Sequence, residues 1–407
     1  MPHNRRGLVQ LTDENLLLLI SRIAIPRKCL ETHKPKFDSA KRITMADAST
    51  FLSGITVLDL SQYVSGPFAS QILGDMGAAV IKIEPPLGDE MYNLGPRDSH
   101  GNPVFYRSLN AGKSVLRLDL KTEEGKARLR ELLADADVLI EGFRPGTMAR
   151  LGFDYESAKT VNPELIFCSI SGYGPTGPLA PIAGHDANYL AVSGILHRNG
   201  VDKPIFFDPP VADISGALFA AIAILGALNG RGQTKEGTHI ELGLADALMP
   251  LQQMQIAEWG ANATVPGRRS TYLNGAVAYY QVYTTADERH VMLGAIEPKF
   301  WRNFCVAADR PNWIERQNET LPQEALIAEL ADFFAQHSAA QIAAKFVETE
   351  CCLSSVLDLE QAITSPHLQA RGLIKAGADG LQTLFPATFD SAPLPLRRPM
   401  VSHDQIA

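Results

Sequence analysis

The stretch GITVLDLSQYVSGPFASQILGDMGAAVIKIE, residues 54–84, decides the fold. ITVLDL is a short apolar run of strand type, GPFASQILGDMGA a helix of small residues, and AVIKIE a second strand, all within about thirty residues as a βαβ unit needs. Two strands joined through a helix open a doubly wound sheet. The pattern then repeats. SVLRLDL (114–120), DVLIEG (137–142) and ELIFCSISG (164–172) read as strands. TEEGKARLRELLADA (122–136) reads as a helix, with Thr122 as its N-cap and acids in its first turn. The expectation is an α/β fold with a Rossmann-like, doubly wound large domain.

Further along, DISGALFAAIAILGALNG (213–230) is apolar nearly all round. It is read as a buried core helix ended by Gly230 and too short for a membrane span. THIELGLADALMPLQQMQIAEWG (238–260) supplies a strand and a helix, with Met249, Met254 and Trp259 either contacts for an apolar ligand chain or, as is more common, core, and given no place in the site. The run GANATVPGRRSTYLNG (260–275) reads as a linker. Beyond it VAYYQVYTT and HVMLGAIE form two strands around the turn ADER, with helices expected at 298–307, 323–336 and 339–349. The division that follows is a large domain over 45–260, a smaller α+β domain over 275–365, and a turn-rich return to the large domain over 366–407.

A net charge of −8 and a pI near 5.7 disfavour nucleic acid and anionic membrane as partners, since both require a basic face. The five cysteines, Cys29, Cys168, Cys305, Cys351 and Cys352, show no CxxC pairing and read as reduced thiols in a cytoplasmic protein without a zinc site. LLLLI at 16–20 is the longest early apolar run and is interrupted by Arg22. Residues 1–44 are irregular and basic, and Met45 opens MADASTFLSG. Translation is expected to begin at Met45; N-terminal sequencing that found residues 1–44 in the native protein would remove that expectation.

Three motifs and two single acids bear on chemistry. SGYGPTGP (171–178) holds a literal GxGxxG at Gly172, Gly174 and Gly177, but Pro175, Pro178 and Pro181 deny it the helix that a dinucleotide site requires. Its glycines serve tight turning or close backbone approach. In DVLIEGFRPGTMARLGF (137–153), Phe143, Arg144 and Arg150 follow a strand at the sheet edge where α/β proteins bind ligands. Each arginine is either a forked phosphate ligand or a solvated surface residue. In AGHDANYLAVSGILH (183–197), His185 stands at the start of a helix, as a capping or packed imidazole or as a base. Asp213 is either the N-cap of the apolar helix or a half-buried acid–base group. Glu297, before Pro298, reads by itself as a helix-start acid.

Taken together these segments resemble the CaiB/BaiF family of class III CoA-transferases and α-methylacyl-CoA racemases. Residues 54–84, NAGKSVLRLDLKTEEGK, EGFRPGTMARLGFDYE, NPELIFCSISGYGPTGP, PVADISGALFAAIAILGAL and SPHLQARGL carry the resemblance in order, from Gly54 to Ser402. AGHDANYLAVSGILH, with its histidine, and YLNGAVAYYQVYTTADERHVMLGAIEPKFW are similar to the racemase branch, whereas ISGALF after Asp213, like transferases, departs from it. Pro85 and Pro86 stand where transferases often place an arginine that grips CoA.

The resemblance implies epimerisation of α-methyl-branched acyl-CoA thioesters, in lipid metabolism, with His185 and Asp213 moving the α-proton on opposite faces and Glu297 orienting His185. Phe143, Arg144 and Arg150 become the CoA-contact residues. It implies no metal and no organic prosthetic group, CoA entering as part of the substrate. It also implies an interlocked homodimer whose site lies between the large domain of one subunit and the small domain of the other. The alternative within the family is a CoA-transferase in which Asp213 attacks the thioester and passes CoA to a free carboxylic acid. A non-catalytic acyl-CoA-binding protein is the rival from another class, and the three polar positions His185, Asp213 and Glu297 argue against it.

Overall fold

The structure, a computed structural model, describes residues 51–402; the expectation about residues 1–44 falls outside them. Strands β1 (Thr56–Asp59), β2 (Ala79–Glu84), β3 (Ser114–Arg117), β4 (Val138–Glu141), β5 (Ile166–Ser171) and β6 (Thr238–Gly243) lie in one sheet with a strand from the chain's end, β14 (Val401–Ser402). The order is β14-β3-β2-β1-β4-β5-β6, and every neighbouring pair is parallel. This is the doubly wound order, in which the chain runs outward from β1 in one direction and then from β4 in the other.

Strand alternation sorts the core into two layers. On one face Val57, Val138, Ile140, Ile166 and Cys168 pack with helices α1 (Ser65–Asp75) and α5 (Val211–Thr234). On the other, Leu58, Leu139 and Phe167 meet Leu129 and Leu133 of α3 (Glu123–Ala134), whose N-cap Thr122 accepts a hydrogen bond from Gly125 N at 3.1 Å. β4 is buried along its whole length, as a strand covered on both faces must be. Between β2 and β3 a short helix, α2 (Val104–Asn110), has no strong periodic signal in the sequence.

Helix α5 departs from expectation in three ways. It spans 24 residues rather than 18, running through Gly226, Gly230 and Gly232 to a left-handed C-cap at Lys235, so Gly230 does not end it. Asp213 is not its N-cap: Pro210 is, and Asp213 lies in the first turn. The helix is not buried all round, because Leu218 and Ile222 face outward, 45% and 62% exposed. By length and composition α5 could cross a membrane, although its inner face packs on α1, β5 and β6 as a core helix does.

The segment AGHDANYLAVSGIL forms a shorter helix than read, α4 (Asp186–Val192), which breaks at Gly194, where φ is +85°. After β6 come short turns and α6 (Gln253–Asn262). There Met249, Met254 and Trp259 are 38%, 62% and 56% exposed, so they do not belong to a core of this chain.

Strands β7 (Tyr280–Thr284) and β8 (His290–Gly294) pair antiparallel, and β9 (Leu353–Ser355), which the sequence reading missed, adds to β8. Helices α7 (Pro298–Ala307), α8 (Glu324–Ala335) and α9 (Ala339–Phe346) cover this sheet around Trp301, Phe304, Trp313 and Phe334. Trp301 Nε1 donates to Trp313 O at 3.1 Å, so burial of that indole leaves no polar atom unpaired. Two hairpins follow, β10–β11 (Ile374–Gly377, Gly380–Thr383) and β12–β13 (Thr388–Phe389, Ala392–Pro393), before β14 joins the large sheet beside β3. The four described cysteines, Cys168, Cys305, Cys351 and Cys352, carry free thiols.

Candidate active site

In an open α/β sheet the ligand crevice forms beyond the carboxyl ends of the strands where the winding reverses, which here is between β1 and β4. A cleft of about 470 Å³ opens at that point. Its walls are the loop after β1 (Leu60 to Ser65), the loop after β4 (Gly142 to Pro145), Ser171 and Gly172 after β5, the segment from Ala180 to His185, and Asp213.

The loop after β1 is clamped from below by buried charge. Asp59, wholly buried, accepts from Ser70 Oγ at 2.6 Å and from the amide and hydroxyl of Ser61. Lys113 Nζ donates to Asp59 Oδ2 at 3.0 Å, to Pro67 O at 2.9 Å and to Asn110 Oδ1 at 2.9 Å, which satisfies all three ammonium protons. Lys82 Nζ donates to Ser61 O and pairs with Asp89 Oδ2, both at 2.8 Å. Burial opposes ionisation of Asp59, but the Lys113 and Lys82 ammoniums and the serine hydroxyls outweigh it and hold the carboxyl well below its usual range. Burial likewise opposes the charge on Lys82, and Asp59 and Asp89 together lift it above the ordinary lysine value. Two acids and two ammoniums balance, so the charges survive without water. Gly66 completes the clamp, since a Cβ there would stand 2.1 Å from Ser61 Oγ.

His185 and Asp213 meet across the cleft through their neighbours. His185 is the N-cap of α4, and its own amide donates to Asn188 Oδ1 at 3.0 Å, which fixes the backbone and leaves the exposed imidazole on the cleft wall. Asp186, the next residue, reaches to α5, where its Oδ1 accepts from Ala212 N at 2.6 Å and Asp213 N at 3.2 Å. One carboxylate thus joins the starts of two helices and sets Asp213 relative to His185. Asp213 Oδ1 accepts from Ser65 Oγ at 3.2 Å. Burial first, and then the Asp186 charge, push the Asp213 carboxyl up to about 6, while Ser65 and His185 pull the other way. A half-buried carboxyl that titrates near neutrality can take up and return a proton at physiological pH.

Of the residues singled out from sequence, His185, Asp213, Phe143 and Arg144 line this cleft. Arg150 is exposed and bonds Thr147 Oγ1 at 2.8 Å, outside the lining. Glu297 is exposed at the N-cap of α7 and does not line the cleft of its own chain. SGYGPTGP opens no helix; Gly174 and Gly177 turn with φ of +83° and +87°, and Gly172 lies against the Tyr189 ring. Sequence reasoning missed Tyr63, Ser65, Asp186 and the four buried charges. Two signals were available: Asp186 directly after His185, and Lys82 inside an apolar strand.

The comparisons with known proteins cover most of the described chain. The model of CoA-transferase family III matches residues 52–405. The chain is 33% identical to the acetyl-CoA:oxalate CoA-transferase of Acetobacter aceti, over 80% of this chain and 85% of that one. It is 32% identical to the human alpha-methylacyl-CoA racemase, over 79% of this chain and 81% of the relative. A crystal structure of a CaiB/BaiF family protein from Brucella suis superposes with a TM-score of 0.77 at 30% identity, covering 86% of this chain and 96% of its own. With a family model matched over nearly all the described residues, and the fold and cleft built from those same segments, the chain belongs to CoA-transferase family III, the CaiB/BaiF family of transferases and racemases.

Proposed function

We propose that this enzyme epimerises α-methyl-branched acyl-CoA thioesters by moving the α-proton through an enolate. The observation that carries the reading is the placement of His185 and Asp213 on one cleft, one on the loop before α4 and one on the first turn of α5. Inversion at carbon requires a proton acceptor on one face and a donor on the other, and the enolate oxygen between them must be stabilised by hydrogen-bond donors. Asp213, lifted to about 6, exists in both protonation states near neutral pH, as a reversible transfer needs. Phe143 and Arg144 line the same cleft; in this reading they contact the CoA moiety, the arginine offering its fork to phosphate.

Glu297 enters this account only through an interlocked homodimer, in which Glu297 of the partner subunit orients His185. The outward face of α5 and α6 supports such an assembly, since Leu218, Ile222, Met254 and Trp259 stand exposed in the single chain.

A second reading is favoured by the sequence after Asp213 and by the transferase relatives: Asp213 attacks the thioester and expels CoA thiolate, which then attacks the aspartyl carbonyl of the mixed anhydride and releases the donor carboxylate, leaving an aspartyl-CoA thioester from which CoA passes in the same way to a free acid. The two reactions separate in one assay. A single-epimer 2-methylacyl-CoA incubated without any free acid loses stereochemical purity under the first reading. Retained configuration, with CoA transfer appearing once a free acid is added, would establish the second.

A further inference from the structure

Tyr63 holds a backbone conformation that a bulky residue rarely adopts, with φ at +65°. Core packing does not explain it, because the ring is 41% exposed and lines the cleft. The buried charges beneath it do. Tyr63 N donates to Asp89 Oδ1 at 3.3 Å, and the same oxygen accepts from Met91 N at 2.9 Å. Asp89 Oδ2 is paired with Lys82, whose ammonium also holds the Ser61 carbonyl. One lysine therefore grips both ends of the arc from residue 61 to residue 63, directly at Ser61 and through Asp89 at Tyr63. The ring so placed stands edge-on to the His185 imidazole, with centroids 6.4 Å apart and planes at 81°.

We propose that Tyr63 is a positioning residue for His185, set in its left-handed conformation by the buried Lys82–Asp89 pair so that its ring forms a wall against the imidazole and restricts its rotamers. The inference rests on His185 being the proton carrier. Strained residues persist where the surroundings over-determine them, and they gather at sites where placement matters. The phenol oxygen is not needed for this role; the ring edge is.

The test compares Tyr63→Gly with Tyr63→Phe in the full chain. Glycine adopts the left-handed conformation freely, so Tyr63→Gly is expected to keep or raise the urea midpoint while removing the ring. In protein carrying isotope-labelled histidine, with the His185 signal assigned by its loss in His185→Gln, Tyr63→Gly shifts the His185 ring resonances and Tyr63→Phe leaves them in place. kcat for epimerisation falls by about ten-fold or more in Tyr63→Gly with KM little changed, as misplacement of a reacting group predicts, and Tyr63→Phe restores it. Unmoved His185 resonances, or wild-type kcat, in Tyr63→Gly would overturn the proposal. Asp89→Asn shifts the same resonances, and adding Tyr63→Gly to it produces no further shift; additive shifts would break the link between Asp89 and Tyr63. If the wild-type enzyme itself fails to epimerise, the racemase reading fails while the resonance comparison still decides whether Tyr63 places His185.

Discussion

Asp213 carries a cost that its chemistry explains. Its folded pKa, about 6, stands above the ordinary 3.8, so the fold favours the neutral carboxyl. The sign follows: the contribution to stability is fully present below the unfolded value and is lost as pH rises through about 6. Asp213→Asn removes the penalty. We expect the variant to match the wild type in urea near pH 4 and to exceed it by about 1–2 kcal/mol at pH 8, after allowance for the solvent-facing part of the group. Equal stability at both pH values would mean that the carboxylate is not strained. His185 is different, since its imidazole is exposed and its backbone is held by Asn188 and α4. His185→Ala is expected to leave the unfolding midpoint within about 0.5 kcal/mol and to lower epimerisation by about 10²–10⁴-fold; undiminished turnover would remove the histidine from the mechanism.

Among the elements, the β1–α1 turn does the placing, and it depends on charges that no surface pattern announces. Lys113→Met removes the ammonium paired with Asp59, and a broken buried pair of this kind costs about 3–5 kcal/mol, although Pro67 O keeps its hydrogen bond from Ser70 Oγ. Urea unfolding checks this, and Lys113→Met combined with Asp59→Asn should recover part of the loss. This turn also marks where sequence reading stops. Strands β1, β2, β4 and β5 and helices α1 and α3 were legible because apolar runs, small residues and the Thr122 cap repeat local rules. The role of Lys82 was not, because its partner Asp89 lies beyond the strand and meets it only in three dimensions. Asp186 was hidden for the same reason, its partners Ala212 and Asp213 being 26 and 27 residues away. The end of α5 was misplaced because Gly230 is a common stop, yet packing on α1, β5 and β6 carries the helix past it to Lys235.

At the scale of the molecule the chain closes on itself. β14 adds to the edge of the large sheet beside β3, and just before it Arg397 forks onto Asp75 at the end of α1, with both contacts at 2.6 Å. Both side chains are nearly buried, so Arg397→Ala strands a carboxylate and is expected to cost about 3 kcal/mol. Limited proteolysis should then cut first in the C-terminal segment; unchanged stability and cleavage would show that β14 alone secures the return. The His185, Asp213 and Glu297 positions were legible only through family resemblance, because no spacing rule joins a loop after β5, a helix start and the mouth of α7. The first two share a cleft in one chain, and the third is exposed and does not line it.

The most direct measurement is the fate of the α-hydrogen when the wild-type enzyme meets a single-epimer 2-methylacyl-CoA in heavy water with no acceptor acid present. The account predicts deuterium at the α-carbon together with loss of stereochemical purity. Full retention of the α-proton, accompanied by a CoA thioester on Asp213 and CoA transfer once a free acid is supplied, would contradict it.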